Sequence, residues 1–167
     1  FVFNSCNSWT QKKFSMAKIT RYTLIFLLTL STLVFADQGS GDSYGYNWTD
    51  TDAPAPTTTY SWIDLSSETS LFDTLFNDSI ASVTLPQGFT LYGSTATQLY
   101  ISTNGWISFN NPGSNSYPTN ASIPSGSAPN ALIAPFWDDL ASTTAGGGVY
   151  YRSDGTLPNR RFIVEWD

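Results

Sequence analysis

The stretch Leu99-Tyr100-Ile101-Ser102-Thr103-Asn104-Gly105-Trp106-Ile107-Ser108-Phe109 decides the fold. Asn-Gly between two β-prone runs supplies the positive φ angles of a type I′ turn, so the flanking runs must fold back as a hairpin. A two-residue loop predicts Thr103 opposite Trp106, Ser102 opposite Ile107 and Tyr100 opposite Phe109. The aromatic pair and Ile107 then share a face, read as core.

Working outward, short β-like runs recur between Gly, Pro and Asn turn signals. They are 60–65, 80–85, 89–92, 98–102, 106–110, 132–137, 149–152 and 162–166. A second hairpin is expected from Val149 to Trp166, with Asp154-Gly155 in its connection. There Phe162, Val164 and Trp166 alternate with Ile163 and Glu165. Beyond the apolar leader no helical period is found, and Ser70 to Ile80 holds one helical turn at most. Many short strands with such turns predict an all-β, antiparallel β-sandwich-like domain. The chain stops at Asp167 in mid-strand, so the domain is read as truncated at its C-terminus.

The ordered words of this region are Val83-Thr84-Leu85-Pro86-Gln87-Gly88-Phe89-Thr90-Leu91-Tyr92-Gly93, then the hairpin, then Ile123-Pro124. They continue with Pro129-Asn130-Ala131-Leu132-Ile133-Ala134-Pro135-Phe136-Trp137-Asp138-Asp139-Leu140, Val149-Tyr150-Tyr151 and Arg161-Phe162-Ile163-Val164-Glu165-Trp166. In this order they resemble the nidogen-like extracellular domain of large secreted bacterial multidomain proteins. The resemblance covers 83–167 and extends more weakly to 44–65. The run Leu85-Pro86-Gln87-Gly88-Phe89 departs from the pattern by lacking a second aromatic after Pro. The resemblance implies a non-enzymatic β module for adhesion, matrix or surface interaction, and it brings no catalytic residues.

Upstream, Met16 opens a leader: Lys18 and Arg21, the apolar run Tyr22 to Phe35, and Val34-Phe35-Ala36 as a cleavage site. This reads as a secretory signal peptide over 16–36, cleaved after Ala36. The alternative, a membrane anchor, needs about 20 apolar residues and is not preferred. The protein is then expected outside the cell or at its surface, meeting the membrane only during export. Residues 1–15 precede the first Met and are read as an upstream, non-native segment. Residues 37–59 are a Gly/Ser/Pro/Thr-rich segment in which Tyr44-Gly45-Tyr46-Asn47-Trp48 is expected to dock on the domain, and 60–167 form the domain itself.

Composition narrows the chemistry. The 131 residues after Ala36 hold three Arg, no Lys and all 13 acids, a net of −10, with neither His nor Cys. That balance excludes a nucleic-acid partner, since phosphate binding needs clustered bases. It also removes histidine-assisted and cysteine nucleophiles and ordinary zinc or iron–sulfur sites. No cofactor is expected, with calcium as the one alternative.

That alternative rests on Asp138 and Asp139 with Asp154, or with Asp50 and Asp52, because carboxylates suit a hard cation. The preferred reading is a strand-end pair capping a turn. Asp138, Asp139 and Glu165 could be nominated for glycoside hydrolysis, which needs two carboxylates across a cleft. The alternation instead turns Glu165 toward solvent or toward Arg152, Arg160 or Arg161. Trp48, Trp62 and Trp106 are candidates for stacking on sugar rings, against a core role for aromatics in strands. Asn47-Trp48-Thr49, Asn77-Asp78-Ser79 and Asn120-Ala121-Ser122 fit the N-glycosylation pattern and are read as silent. The function read from the sequence is a secreted module that binds an extracellular protein or matrix. A polysaccharide-binding accessory domain of an exported hydrolase is the alternative.

Overall fold

The computed structural model describes residues 2–5, 38–39, 41–51, 53, 58–72, 76–142 and 147–167. The leader over 16–36 and Asp52 lie outside the described residues. These residues form two compact units, divided between Ser61 and Trp62, with the N-terminal strand belonging to the second. In the first unit a short ribbon pairs β2 (Gln38–Gly39) with β3 (Trp48–Thr49). Asp42 organises its turn: Oδ1 accepts the N–H groups of Tyr44 and Tyr46.

The larger unit is all-β, with its strands in two sheets and mostly antiparallel. One sheet runs in the order β4 (Ile80–Leu91), β5 (Ser94–Ser102), β6 (Trp106–Ser108), β7 (Leu132–Ile133). The other has β9 (Arg161–Trp166) between β8 (Val149–Asp154) and β1 (Val2–Ser5). β1 comes from the segment that the sequence reading set aside, and it lies parallel to β9, Val2 opposite Ile163.

Alternation places the core between the sheets. Val83, Leu99, Ile101, Ile107 and Phe109 from the first sheet meet Val149, Phe162, Val164 and Trp166 from the second. The indole Nε1–H of Trp166 donates to Ser102 O at 2.8 Å and ties β9 to β5. β9 is buried on its outer face as well. There Leu65, Tyr150 and Ile163 form a second cluster under the strap that follows Trp62. Residues 60–65, expected as a strand, make no ladder; Ile63 and Leu65 pack on this face from irregular chain.

The expected β8–β9 hairpin forms, pairing Val149 with Trp166 and Asp154 with Arg161; Asp154 ends β8 and the connection opens at Gly155. The β5–β6 hairpin is shifted by one residue from its expected register. Ser102 faces Trp106, Ile101 faces Ile107 and Tyr100 faces Ser108. The loop is therefore the three residues Thr103, Asn104 and Gly105, and only Gly105 has positive φ, at 75°. That is the conformation of a three-residue loop with glycine in the left-handed position, whereas type I′ needs two such residues. Phe109 consequently leaves Tyr100 and stacks on Phe89, ring centroids 5.1 Å apart.

Candidate functional site

Asn104 lies at the centre of a buried polar cluster. Its Nδ2 donates to Asp78 Oδ1 at 3.0 Å and Ser116 O at 3.3 Å, and its Oδ1 accepts the Leu140 N–H at 3.0 Å. The Ser116 carbonyl also receives Ser102 Oγ at 3.2 Å and Trp106 Nε1 at 3.1 Å. Asp78 Oδ1 takes a second bond from Ser116 Oγ at 3.0 Å. Four stretches distant in sequence thus meet at one side chain. Enclosed polar groups need such partners, because each left unpaired costs on the order of 1–3 kcal/mol.

The Phe136-Trp137-Asp138-Asp139-Leu140 run closes over this turn. Phe136 N–H donates to Gly105 O and Asp138 N–H to Asn104 O, both at 3.3 Å. Trp137 Nε1–H donates to Tyr117 O at 2.7 Å. The words Asn-Gly-Trp and Phe-Trp-Asp-Asp-Leu are therefore two sides of one lock. Asp78 and Ser116 complete it, and sequence reading missed both; Asp78 belongs only to a silent glycosylation triplet and Ser116 to no word, and only tertiary contact brings them in.

A model of the family described as NIDO related matches residues 53–167. The chain belongs to the NIDO-related family. Neither a curated protein nor a solved structure matches it. NIDO-type domains are generally extracellular, non-catalytic modules. Among the described residues no helix is long and apolar enough to cross a membrane.

Within this NIDO-related domain the sequence-predicted site residues are scattered. Asp138 and Asp139 are exposed, and Asp138 Oδ1 accepts the Asp139 N–H at 2.9 Å, a local turn contact. Asp154 is at the end of the β8–β9 hairpin, where Arg161 Nε and Nη2 both donate to its carboxylate at 2.8 Å. This Arg161 contact, foremost, holds its carboxyl below the usual carboxylate range. Among the described residues no three His, Cys, Asp or Glu gather as a ligand set.

Trp106 is fully buried beside Tyr117 and Trp137, with centroids 6.2 and 6.4 Å away, so it offers no face for a sugar. Trp62 is half-buried, and Trp48 is exposed on the β2–β3 ribbon with Tyr44 and Tyr46.

Glu165 differs most from expectation. It is 2 % exposed, faces the strap rather than solvent, and bonds none of the three arginines; its Oε2 accepts the Leu65 N–H at 2.5 Å. Burial, ahead of all else, pushes its carboxyl above the ordinary value, opposed by the Leu65 N–H and reinforced by the charges of Asp64 and Asp167. The reason for the difference is the strap. It covers the face of β9 that alternation alone leaves open.

Proposed function

We propose that this chain is an exported, non-catalytic module that binds an extracellular protein or matrix component. The match to the NIDO-related family over 53–167 carries the reading. It is supported by the way the family words are used: they lock the fold around Asn104. The leader over 16–36, Lys18 and Arg21 before an apolar run, supports export with cleavage after Ala36. A carbohydrate-binding role is the second reading, favoured by one observation. Trp48 stands 53 % exposed with Tyr44 at 63 % and Tyr46 at 44 % on the same ribbon, a suitable stacking surface for sugar rings.

The test is direct binding of the full chain to a panel of purified matrix proteins and to a glycan array. Saturable binding to a protein, unchanged in Trp48→Ala, is expected. Binding confined to glycans and lost in Trp48→Ala would transfer the assignment to the second reading. For export, N-terminal sequencing of secreted protein should begin at Asp37; material retaining Met16 would remove the leader assignment.

A further inference from the structure

After Ala36 the chain has three cations, and all three lie on one hairpin: Arg152, Arg160 and Arg161. Two are locally neutralised. Arg161 holds Asp154, and Arg152 pairs with Glu68 at 3.2 Å and Asp154 at 3.7 Å. Arg160 has no ion pair among the described residues, although acids outnumber bases in this region by ten. Its side chain is exposed and lines a notch of about 80 Å³ between the two sheets.

The rest of the notch is built from the irregular part of β4. Between Thr84↔Gln98 and Phe89↔Ala96 the register shifts, so Gly88 and its neighbours leave the ladder and form one wall. Phe89 and Phe162 contribute apolar surface, and Ser153 stands beside the arginines. β4 and β8 are the outer strands of their sheets on this side, among the described strands.

We propose that this notch binds the C-terminal carboxylate of an extended polypeptide whose last side chain is apolar. A guanidinium grips a carboxylate through two parallel N–H···O bonds, and an unpaired one needs to break no existing pair to do so. The volume suits a carboxylate and a small side chain. The apolar wall suits an aliphatic last residue, and terminal carboxylates are a recurrent means of peptide capture. The −10 balance repels polyanions, whereas one terminal charge is screened beyond about 8–10 Å. The proposal rests on the reading of the chain as a protein-binding module and names where that binding occurs.

The experiment is an amide-resolved NMR titration of the ¹⁵N-labelled full chain with a short peptide ending in Val-Leu, and with the same peptide as its C-terminal amide. Glucuronate serves as a sugar carboxylate. The free acid should shift Gly88, Ser153 and Arg160 saturably, and the amide and the Arg160→Gln variant should each bind about tenfold or more weakly, a loss of ~1.4 kcal/mol. Arg160 is exposed and has no ion pair among the described residues, so the variant should melt like the parent. Equal binding by the amide, full binding by Arg160→Gln, shifts elsewhere only, or response to glucuronate alone would overturn the proposal. A matrix protein that binds wild type and Arg160→Gln alike would keep the module reading and remove the notch.

Discussion

At the β5–β6 turn, Asn104 and Gly105 are enclosed, and every polar atom of the Asn104 side chain is bonded to a distant part of the chain. At the β8–β9 turn, Gly155 is exposed and the charges of Asp154 and Arg161 meet each other at the surface. Both turns place glycine at positive φ, 75° and 77°. The same local chemistry therefore serves two ends. One hairpin is a junction for the fold, while the other is free to carry the domain's cations.

The comparison is broken or kept most sharply by the two glycines. A Cβ on Gly105 would run into the Phe136 carbonyl, and a Cβ on Gly155 into that of Asn159. Both alanines incur the left-handed penalty of about 1–2 kcal/mol. Phe136 is fixed by the Asn104 lock and cannot retreat without opening it, so overpacking adds roughly 1–3 kcal/mol at Gly105. Gly105→Ala is expected to cost about 3 kcal/mol or more in urea unfolding, and Gly155→Ala clearly less. The reverse order would mean that the outer turn is the rigid one.

Asn104→Ala comes next. It strands the Leu140 N–H and withdraws one donor each from Asp78 and Ser116, a loss of about 2–4 kcal/mol on the usual cost of unpaired buried groups. Asn104→Asp keeps the acceptor for Leu140 but puts a carboxylate against Asp78 and the Ser116 carbonyl, and should be no better. An Asn104→Ala protein with an unchanged urea midpoint would show that the cluster is ornamental to stability.

Much of this arrangement was legible in the chain, and the misses have physical causes. The β8–β9 hairpin was legible because Asp154-Gly155 marks where β8 ends and Phe162, Val164 and Trp166 alternate onto one face of β9. At Asn104-Gly105 the local sequence suits both a two-residue loop and a three-residue loop; the contacts of the Asn104 side chain with Asp78 and Ser116 select the second. Alternation also correctly set Glu165 on the face opposite Phe162, Val164 and Trp166. It left that face open to solvent because the strand-like pattern of 60–65 carries no sign that this segment lies over it as irregular chain. Trp106, weighed as a sugar-stacking candidate against a core role, takes the core role, its indole N–H bonded to the Ser116 carbonyl.

Glu165 yields a smaller, pH-dependent effect. Its folded-state carboxyl is raised above the ordinary value, chiefly by burial. With both states protonated at low pH the group contributes nothing. As pH rises past the ordinary carboxylate value, the unfolded chain releases its proton first, so stability falls until the raised folded value is passed and then levels. Glu165→Gln keeps an oxygen for the Leu65 N–H and cannot ionise. It should match the parent at low pH and exceed it at neutral pH by on the order of 1 kcal/mol. Parallel pH–stability curves for parent and variant would show that the strap does not bury this charge.

The smallest effect is expected at the outer hairpin's own ion pair. Arg161 and Asp154 meet with good two-point geometry, but Arg161 is half exposed, and water and salt screen the attraction. If Arg161 is removed, Asp154 keeps the more distant Arg152 at 3.7 Å, and its carboxylate remains open to water. Arg161→Gln should therefore melt within the scatter of replicate measurements, at low and high salt alike, because neither partner is left enclosed. A loss comparable with that of Asn104→Ala would mean that the surface pair holds the β8–β9 hairpin together, and the division between a locking turn and a charge-bearing turn would fail.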